Sequence, residues 1–249
     1  MKTSNHLLRR LTAALLAAVL ALSIALPVFA SDDGDTIYIN SVSDLLSLAR
    51  NCAYDQWSVG KTVILQKDLS LEGMLWEPIP SFSGQFKGNS HTISDLTITG
   101  QYSPAGLFGI VEEQGSIESL SVRGVVSVSD SADTTTGGIV GINHGTLISC
   151  QFTGVVTGDS EVGGIVGRNE SEGTIDHGTA RAIVTGKSST GGIAGYNLGV
   201  ITGCTNVGSI NTEYPEASLD TDGFTAKMVD YINNKMAAAA DDATNSVTN

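Results

Sequence analysis

The chain has 249 residues, with 13 Lys+Arg against 26 Asp+Glu and a formal net charge of −13. Phosphate binding needs clustered Lys and Arg, so nucleic acid is not expected as a partner. Gly accounts for 29 residues, 25 of them between Gly84 and Gly208; with few prolines and many Val, Ile and Thr, this stretch holds enough apolar residues for a core and is not a disordered linker.

The first segment is a targeting signal. Lys2, Arg9 and Arg10 precede Leu11–Leu26, which is almost wholly Leu, Ala, Val and Ile. Pro27-Val28-Phe29-Ala30 follows and suits cleavage before Ser31, which makes residues 1–30 a signal peptide. The apolar run is about 16 residues, short of the ~20 that span a bilayer. No Cys ends the run, so a lipid anchor is not expected. No later stretch is long enough to cross, so the mature chain should have no transmembrane span. Cleavage removes three positive charges and leaves 10 Lys+Arg against 26 Asp+Glu, a net charge of −16.

Residues 31–81 read as an N-terminal cap of strand, helix and strand. Thr36-Ile37-Tyr38-Ile39 alternates as a strand does. Ser41-Val42-Ser43-Asp44 places a hydroxyl acceptor three residues ahead of a carboxylate, a weak capping box. Leu45, Leu46, Leu48 and Ala49 give the helix an apolar face. Val63-Ile64-Leu65 is a second strand, and Trp76 and Phe82 are expected to cover the first coil.

From residue 82 to 211 the chain repeats. Gly137-Gly138-Ile139-Val140-Gly141-Ile142-Asn143 returns as Gly163-Gly164-Ile165-Val166-Gly167-Arg168-Asn169 and as Gly191-Gly192-Ile193-Ala194-Gly195-Tyr196-Asn197. Ala105-Gly106-Leu107-Phe108-Gly109 is a weaker copy. Three columns then align: Ile93, Ile117, Leu147, Ile175 and Ile201; Leu96, Leu120, Cys150, Gly178 and Cys204; Ile98, Val122, Phe152, Ala180 and Asn206. Their spacings are 24, 30, 28 and 26 residues. Fixed columns with variable spacing place insertions in loops.

Such a period, rich in Gly, Val, Ile and Thr, fits one coil of a parallel β-solenoid with about three short strands. Gly and Asn occupy the corners because left-handed backbone costs them least. Gly interrupts every run too soon for a helical repeat. The fold class is therefore all-β, a right-handed parallel β-helix of about five coils, each stacking ~4.8 Å on the next. Residues 212–249 supply a C-terminal helix, Ala226–Ala240 with Met228, Tyr231, Ile232, Lys235 and Met236 on one side, and then a frayed tail. Both ends need covering, because an open parallel edge invites aggregation.

Gly106-Leu107-Phe108-Gly109 and the Gly-Gly-Ile-Val-Gly-x-Asn copies resemble the GLUG-motif repeat proteins, bacterial secreted and surface proteins that include the repeat region of immunoglobulin A1 peptidases. Phe82-Ser83-Gly84-Gln85-Phe86-Lys87-Gly88-Asn89-Ser90-His91-Thr92-Ile93 is similar to their opening segment, with Lys87 for an acidic residue and Ser90 for a glycine. The resemblance covers residues 36–211. It implies a right-handed β-helix, a secreted or cell-surface location and a stalk or adhesive role. The chain has no wall-sorting Leu-Pro-x-Thr-Gly motif, so covalent anchoring is not expected.

The sequence carries no catalytic signature, and no catalytic, cofactor-binding or metal residues are assigned. His-Glu-x-x-His is absent. His91 and His144 read as structural. Asp176-His177-Gly178 is the strongest catalytic candidate, since polysaccharide hydrolases need a carboxylate pair and lyases a Ca²⁺ site beside a basic residue. The row beside Asp176 holds Glu118, Ile148 and Thr202, with only Arg181 near. Asn143, Asn169 and Asn197 read as stacked corner amides. Asp130, Asp133, Asp159, Glu161, Glu170 and Glu172 match no calcium motif. The three cysteines, Cys52, Cys150 and Cys204, are too few for a disulfide framework; Cys150 and Cys204, two coils apart, should be free. Ser119, Ser121, Gln151, Thr153, Thr179 and Thr205 should point outward. The expected function is a non-enzymatic exported solenoid, an adhesive or scaffold module whose partner is a glycan or a host or cell-surface protein. The alternative is a divergent carbohydrate-active β-helix enzyme.

Overall fold

The structure is a computed structural model and describes residues 35–54, 56–128 and 134–211. The expected signal peptide, Asp130, Asp133, and the expected C-terminal helix and tail lie outside the described residues.

The chain winds into a parallel β-solenoid of about six turns. Its first face stacks Thr36–Ile39, Thr62–Leu65, Gln85–Lys87, Ser116–Glu118, Thr146–Ile148, Thr174–Asp176 and Val200–Thr202 in that order. The second face runs Leu69–Ser70, Thr92–Gly100, Ser121–Val128, Gln151–Thr157, Thr179–Thr185 and Thr205–Asn206. The third runs Ile79–Phe82, Phe108–Val111, Val140–Asn143, Val166–Asn169 and Ala194–Asn197. A short fourth sheet of Thr135–Gly137, Glu161–Gly163 and Thr190–Gly191 lies between second and third in chain order. Every described pairing is parallel, as expected when each turn adds one strand per face.

The repeat columns hold across the three strong copies. Ile117, Leu147, Ile175 and Ile201 pair in register, as do Val122, Phe152, Ala180 and Asn206. Gly137, Gly163 and Gly191 also share one row. The first member of each column is corrected. Phe86, not Ile93, precedes Ile117, and Ile93, not Ile98, precedes Val122. Leu96 faces Gly124 rather than Leu120's row. The first turn has a longer corner, with Asn89 and Ser90 both left-handed (φ 50° and 62°). Its second-face strand also bulges between Ile93 and Leu96, around the left-handed Asp95 (φ 60°).

The count of about five coils rises to about six because the solenoid begins before residue 82. Thr62–Leu65 already pairs with Gln85–Lys87, Leu69–Ser70 with the Thr92 strand, and Ile79–Phe82 with Phe108–Val111. Trp76 and Phe82 are 1% and 0% exposed; they fill this turn rather than covering it. The Trp76 indole donates to the Leu107 carbonyl at 3.1 Å. Phe82, Phe86 and Phe108 form a ring cluster with centroids 5.4–6.3 Å apart.

Helix α1, Val42–Asn51, covers the N-terminal end. Ser41 is its N-cap and accepts from the Asp44 amide, while the Asp44 carboxylate accepts from the Asn40 amide at 2.9 Å. The Asn40 amide first and the Ser41 hydroxyl second hold the Asp44 carboxyl below its ordinary range. Leu45 and Leu48 are buried, and Leu46 and Ala49 pack at the edge. The interior then narrows along the axis. In the second-face row, Phe152 gives way to Ala180; in the third-face row, Val140 and Val166 give way to Ala194.

Candidate functional site

The corner between first and second faces explains His177. Ser119, Ser149, His177 and Gly203 have φ of 53°, 52°, 52° and 62°. The polar residues tolerate left-handed backbone through local hydrogen bonding, and Gly has no Cβ to clash. His177 Nδ1 stands 2.8 Å from the Asp176 Oδ1 carboxylate oxygen, which accepts from it. Its ring lies over Gly203, where an added Cβ would come within 3.0 Å. Asp176 stands in the row Lys87, Glu118, Ile148, Asp176, Thr202. The neighbouring carboxylate, Glu118, is two coils away with Ile148 between. Arg181 belongs to another row, with Thr153 and Arg123 on the second face. The acid pair that glycoside hydrolysis requires is not assembled at this position.

The corner after the third face carries the asparagine ladder, and this expectation is met atom by atom. Asn143 Nδ2 donates to Asn169 Oδ1 at 2.7 Å, and Asn169 Nδ2 donates to Asn197 Oδ1 at 2.8 Å. Each also donates within its own corner: Asn143 to Gly145 O at 3.2 Å, Asn169 to Gly173 O at 3.1 Å, Asn197 to Gly199 O at 3.1 Å. Asn143 and Asn169 are fully buried. Glycine is required beside them, since a Cβ at Gly173 would fall 2.3 Å from Asn169 Oδ1.

Several of the remaining titratable candidates are held in local pairs. His91 Nδ1 meets Asp68 Oδ1 at 3.2 Å, and Asp68 also accepts from the Thr92 amide at 2.9 Å. The Thr92 bond first and His91 second hold the Asp68 carboxyl below its ordinary range. Asp159 pairs with Lys187 at 2.7 Å. A bond from the Ser171 hydroxyl lowers Glu172. Among the described residues, no group of three or more His, Cys, Asp or Glu could hold a metal ion.

One cluster was not anticipated. Arg168 forms a two-pronged pair with Glu161, its Nε donating to Oε2 at 2.7 Å, and reaches Glu170 at 3.4 Å. Thr135 adds a hydroxyl bond to Glu161 at 3.0 Å, and the guanidinium lies 5.1 Å from the Tyr196 ring centroid. These carboxylates push the Arg168 pKa upward. The signal was present: Ile142, Arg168 and Tyr196 fill the variable position of the three motif copies and pair in register. Two outward rows are short and polar: Ser116, Thr146 and Thr174 share one, and Ser121, Gln151, Thr179 and Thr205 the other. Thr153, expected to point outward, is only 8% exposed, in the row between Arg123 and Arg181.

All three cysteines are free thiols. Burial raises Cys52 to about 11 and Cys150 to about 12, far from nucleophilic at neutral pH. Among the described residues, no helix is long and apolar enough to cross a membrane.

The fold and this surface define a class, a parallel β-solenoid whose conspicuous polar residues serve its corners. No family model matches the chain, so the GLUG resemblance stays a resemblance. The chain is 29% identical over 155 residues to Halomucin of Haloquadratum walsbyi, covering 57% of this chain and 2% of Halomucin. It is 28% identical over 137 residues to a candidate Gly-rich membrane protein of Evansella cellulosilytica, covering 40% of this chain and 16% of that protein. The chain thus spans a small fraction of the length of both relatives. Among solved structures, a candidate immunoglobulin A1 protease from Bacteroides ovatus is similar at 16% identity and a TM-score of 0.48, over 76% of this chain and 82% of that one.

Proposed function

We propose that the chain is an exported, non-catalytic solenoid that acts as an adhesive or scaffold module at a cell surface. The observation that carries this reading is the outward surface. Two of its repeating rows are short Ser, Thr and Gln side chains, and several of its charged groups are engaged in local pairs, such as Arg168 with Glu161 and Asp159 with Lys187. Chemistry needs convergent groups with tuned proton affinities, whereas a rigid rod with a repeated polar face suits extended contacts of low affinity per coil. The names of the two relatives, a mucin-like name and a membrane protein, support a surface location, as does the signal peptide expected from the sequence of residues 1–30. A glycan or a surface protein is the partner this face would take.

The test pairs binding with turnover. The purified chain is applied to arrays of immobilised glycans and host surface proteins, and the same glycans are assayed for released reducing ends and unsaturated products. Retained binding without turnover is expected, unchanged in His177→Ala. Turnover that disappears in His177→Ala, with the fold intact, would overturn the reading in favour of a carbohydrate-active enzyme.

A further inference from the structure

Arg123, Thr153 and Arg181 stand in register on three successive strands of the second face. Both arginines are exposed, and Thr153 between them is 8% exposed. Long side chains on the outer two coils and a short one on the middle coil leave a notch with cationic walls. The walls are two strand spacings apart, ~9.6 Å at the backbone. Arg168 and Lys187 are paired with carboxylates, whereas neither Arg123 nor Arg181 makes a hydrogen bond or ion pair to a described residue. Two carboxylates border the Arg123 end and are engaged elsewhere. Asp95 accepts from the Ser70 and Ser94 hydroxyls at 2.6 and 2.8 Å, and Asp68 is held by the Thr92 amide and His91. The row two residues earlier carries Ser121, Gln151 and Thr179 on the same three strands. The notch lies away from both ends of the sheet, with Thr92–Gly100 before it and Thr205–Asn206 after it.

We infer that this notch binds the carboxylate or sulfate groups of an acidic glycan, held by Arg123 and Arg181, while Ser121, Gln151 and Thr179 bond to the sugar hydroxyls. A guanidinium offers its N–H groups as a planar fork that fits the oxygens of an oxyanion. Two forks on opposite walls take one anionic group from both sides, or two such groups along a strand of sugar. No carboxylate of the protein competes within hydrogen-bond reach, so both arginines keep their attraction for an external anion. Asp68 and Asp95 repel that anion beyond Arg123, which directs the glycan across Thr153 towards Arg181. The formal net charge of −13 opposes a dense polyanion at long range. A chain whose charges are spaced by neutral, hydroxyl-bearing units suits the notch and its neighbouring row better. The inference deepens the adhesive reading, on which it rests for a glycan as the partner.

The purified chain is titrated with heparin as the sulfated probe and polygalacturonate as the carboxylated one, with neutral dextran as the blank. At least one acidic glycan should bind, and the stronger of the two assigns the anionic group. Arg123→Gln or Arg181→Gln should weaken binding about three- to fivefold, and the two together roughly tenfold or more, the scale of exposed charge pairs. Lys87→Gln, the same charge change on the first face, should leave binding as it is. Thr153→Glu sets a carboxylate between both guanidiniums, where opposite charges on adjacent strands stabilise each other. That chain should lose the glycan while its thermal unfolding midpoint holds. If it does not fold, the decision passes to the double arginine variant, whose changes are both at exposed positions. Lack of binding to either acidic glycan, undiminished binding in the double variant, or an equal loss in Lys87→Gln would overturn the inference. So would single-stranded DNA bound as tightly as the glycans, which would assign the row to phosphate. Binding to neutral glycans or surface proteins that survives every variant would overturn this inference alone and leave the adhesive reading standing.

Discussion

Asn169 illustrates how one side chain serves both a corner and the stack. Its amide donates to its own corner at Gly173 and to the next coil at Asn197, and its oxygen accepts from Asn143. All three bonds are made in a site with no exposure. Removing one partner of a buried bond exposes the others to desolvation cost. Asn169→Ala should therefore lower stability by about 2–4 kcal/mol, reading ~1–3 kcal/mol per orphaned partner with partial relaxation. Asn197→Ala, at an exposed position where water can take over as acceptor for the Asn169 amide, should cost about 1 kcal/mol, near the net worth of one ordinary bond. Urea unfolding of the two variants checks the ordering, and equal losses would mean that the ladder contributes nothing through burial. His177 reads differently at this scale: its place in the row of Ser119, Ser149 and Gly203 is a matter of backbone conformation.

Strand and corner together explain the doubled glycines. A Cβ on Gly137 would come within 2.1 Å of the Val140 carbonyl oxygen, so the chain can fold back on itself there only with glycine. Gly138 serves the interior instead, where a Cβ would meet the Phe152 ring at 2.3 Å and Gly164 O at 2.5 Å. Neither obstacle can yield easily, since one is backbone and the other a fully buried ring. Gly138→Ala should cost about 1–3 kcal/mol or more, as overpacking does. The measurement is the unfolding midpoint, with Gly60→Ala as comparison. Gly60 has open space around it but φ of 73°, so its cost should be only the ~1–2 kcal/mol of left-handed backbone. A Gly138→Ala chain as stable as wild type would mean that Phe152 does not sit against that corner.

At the scale of the molecule, each coil touches its neighbours and little else, so coupling should be short-ranged. Phe82 and Phe108 stand 5.4 Å apart, and Phe82→Leu with Phe108→Leu should be non-additive by about 0.5–3 kcal/mol. Phe86→Leu with Val184→Ala joins residues several coils apart and should add within about 0.5 kcal/mol. Double-mutant cycles by chemical unfolding decide this. Strong coupling in the distant pair would contradict a solenoid that transmits strain only between adjacent turns.

The sequence by itself determined the period, the parallel solenoid, the corner asparagines and the columns from Ile117 onward. Each coil must refill the same interior and turn the same corners, so the same residue types return at the same places, and Gly, Asn and β-branched residues betray them. The capping box before α1 was legible because it is local. Only the tertiary structure decided where the winding starts. The first turns lack the doubled glycine, and their longer corner and bulge shift Ile93 by a full column. It also decided which charges meet: Arg168 and Glu161 are seven residues apart on different strands, and only the corner between them brings guanidinium to carboxylate. Hydrophobic periodicity is dictated one coil at a time, whereas register and ion pairing depend on how one coil is laid upon the next.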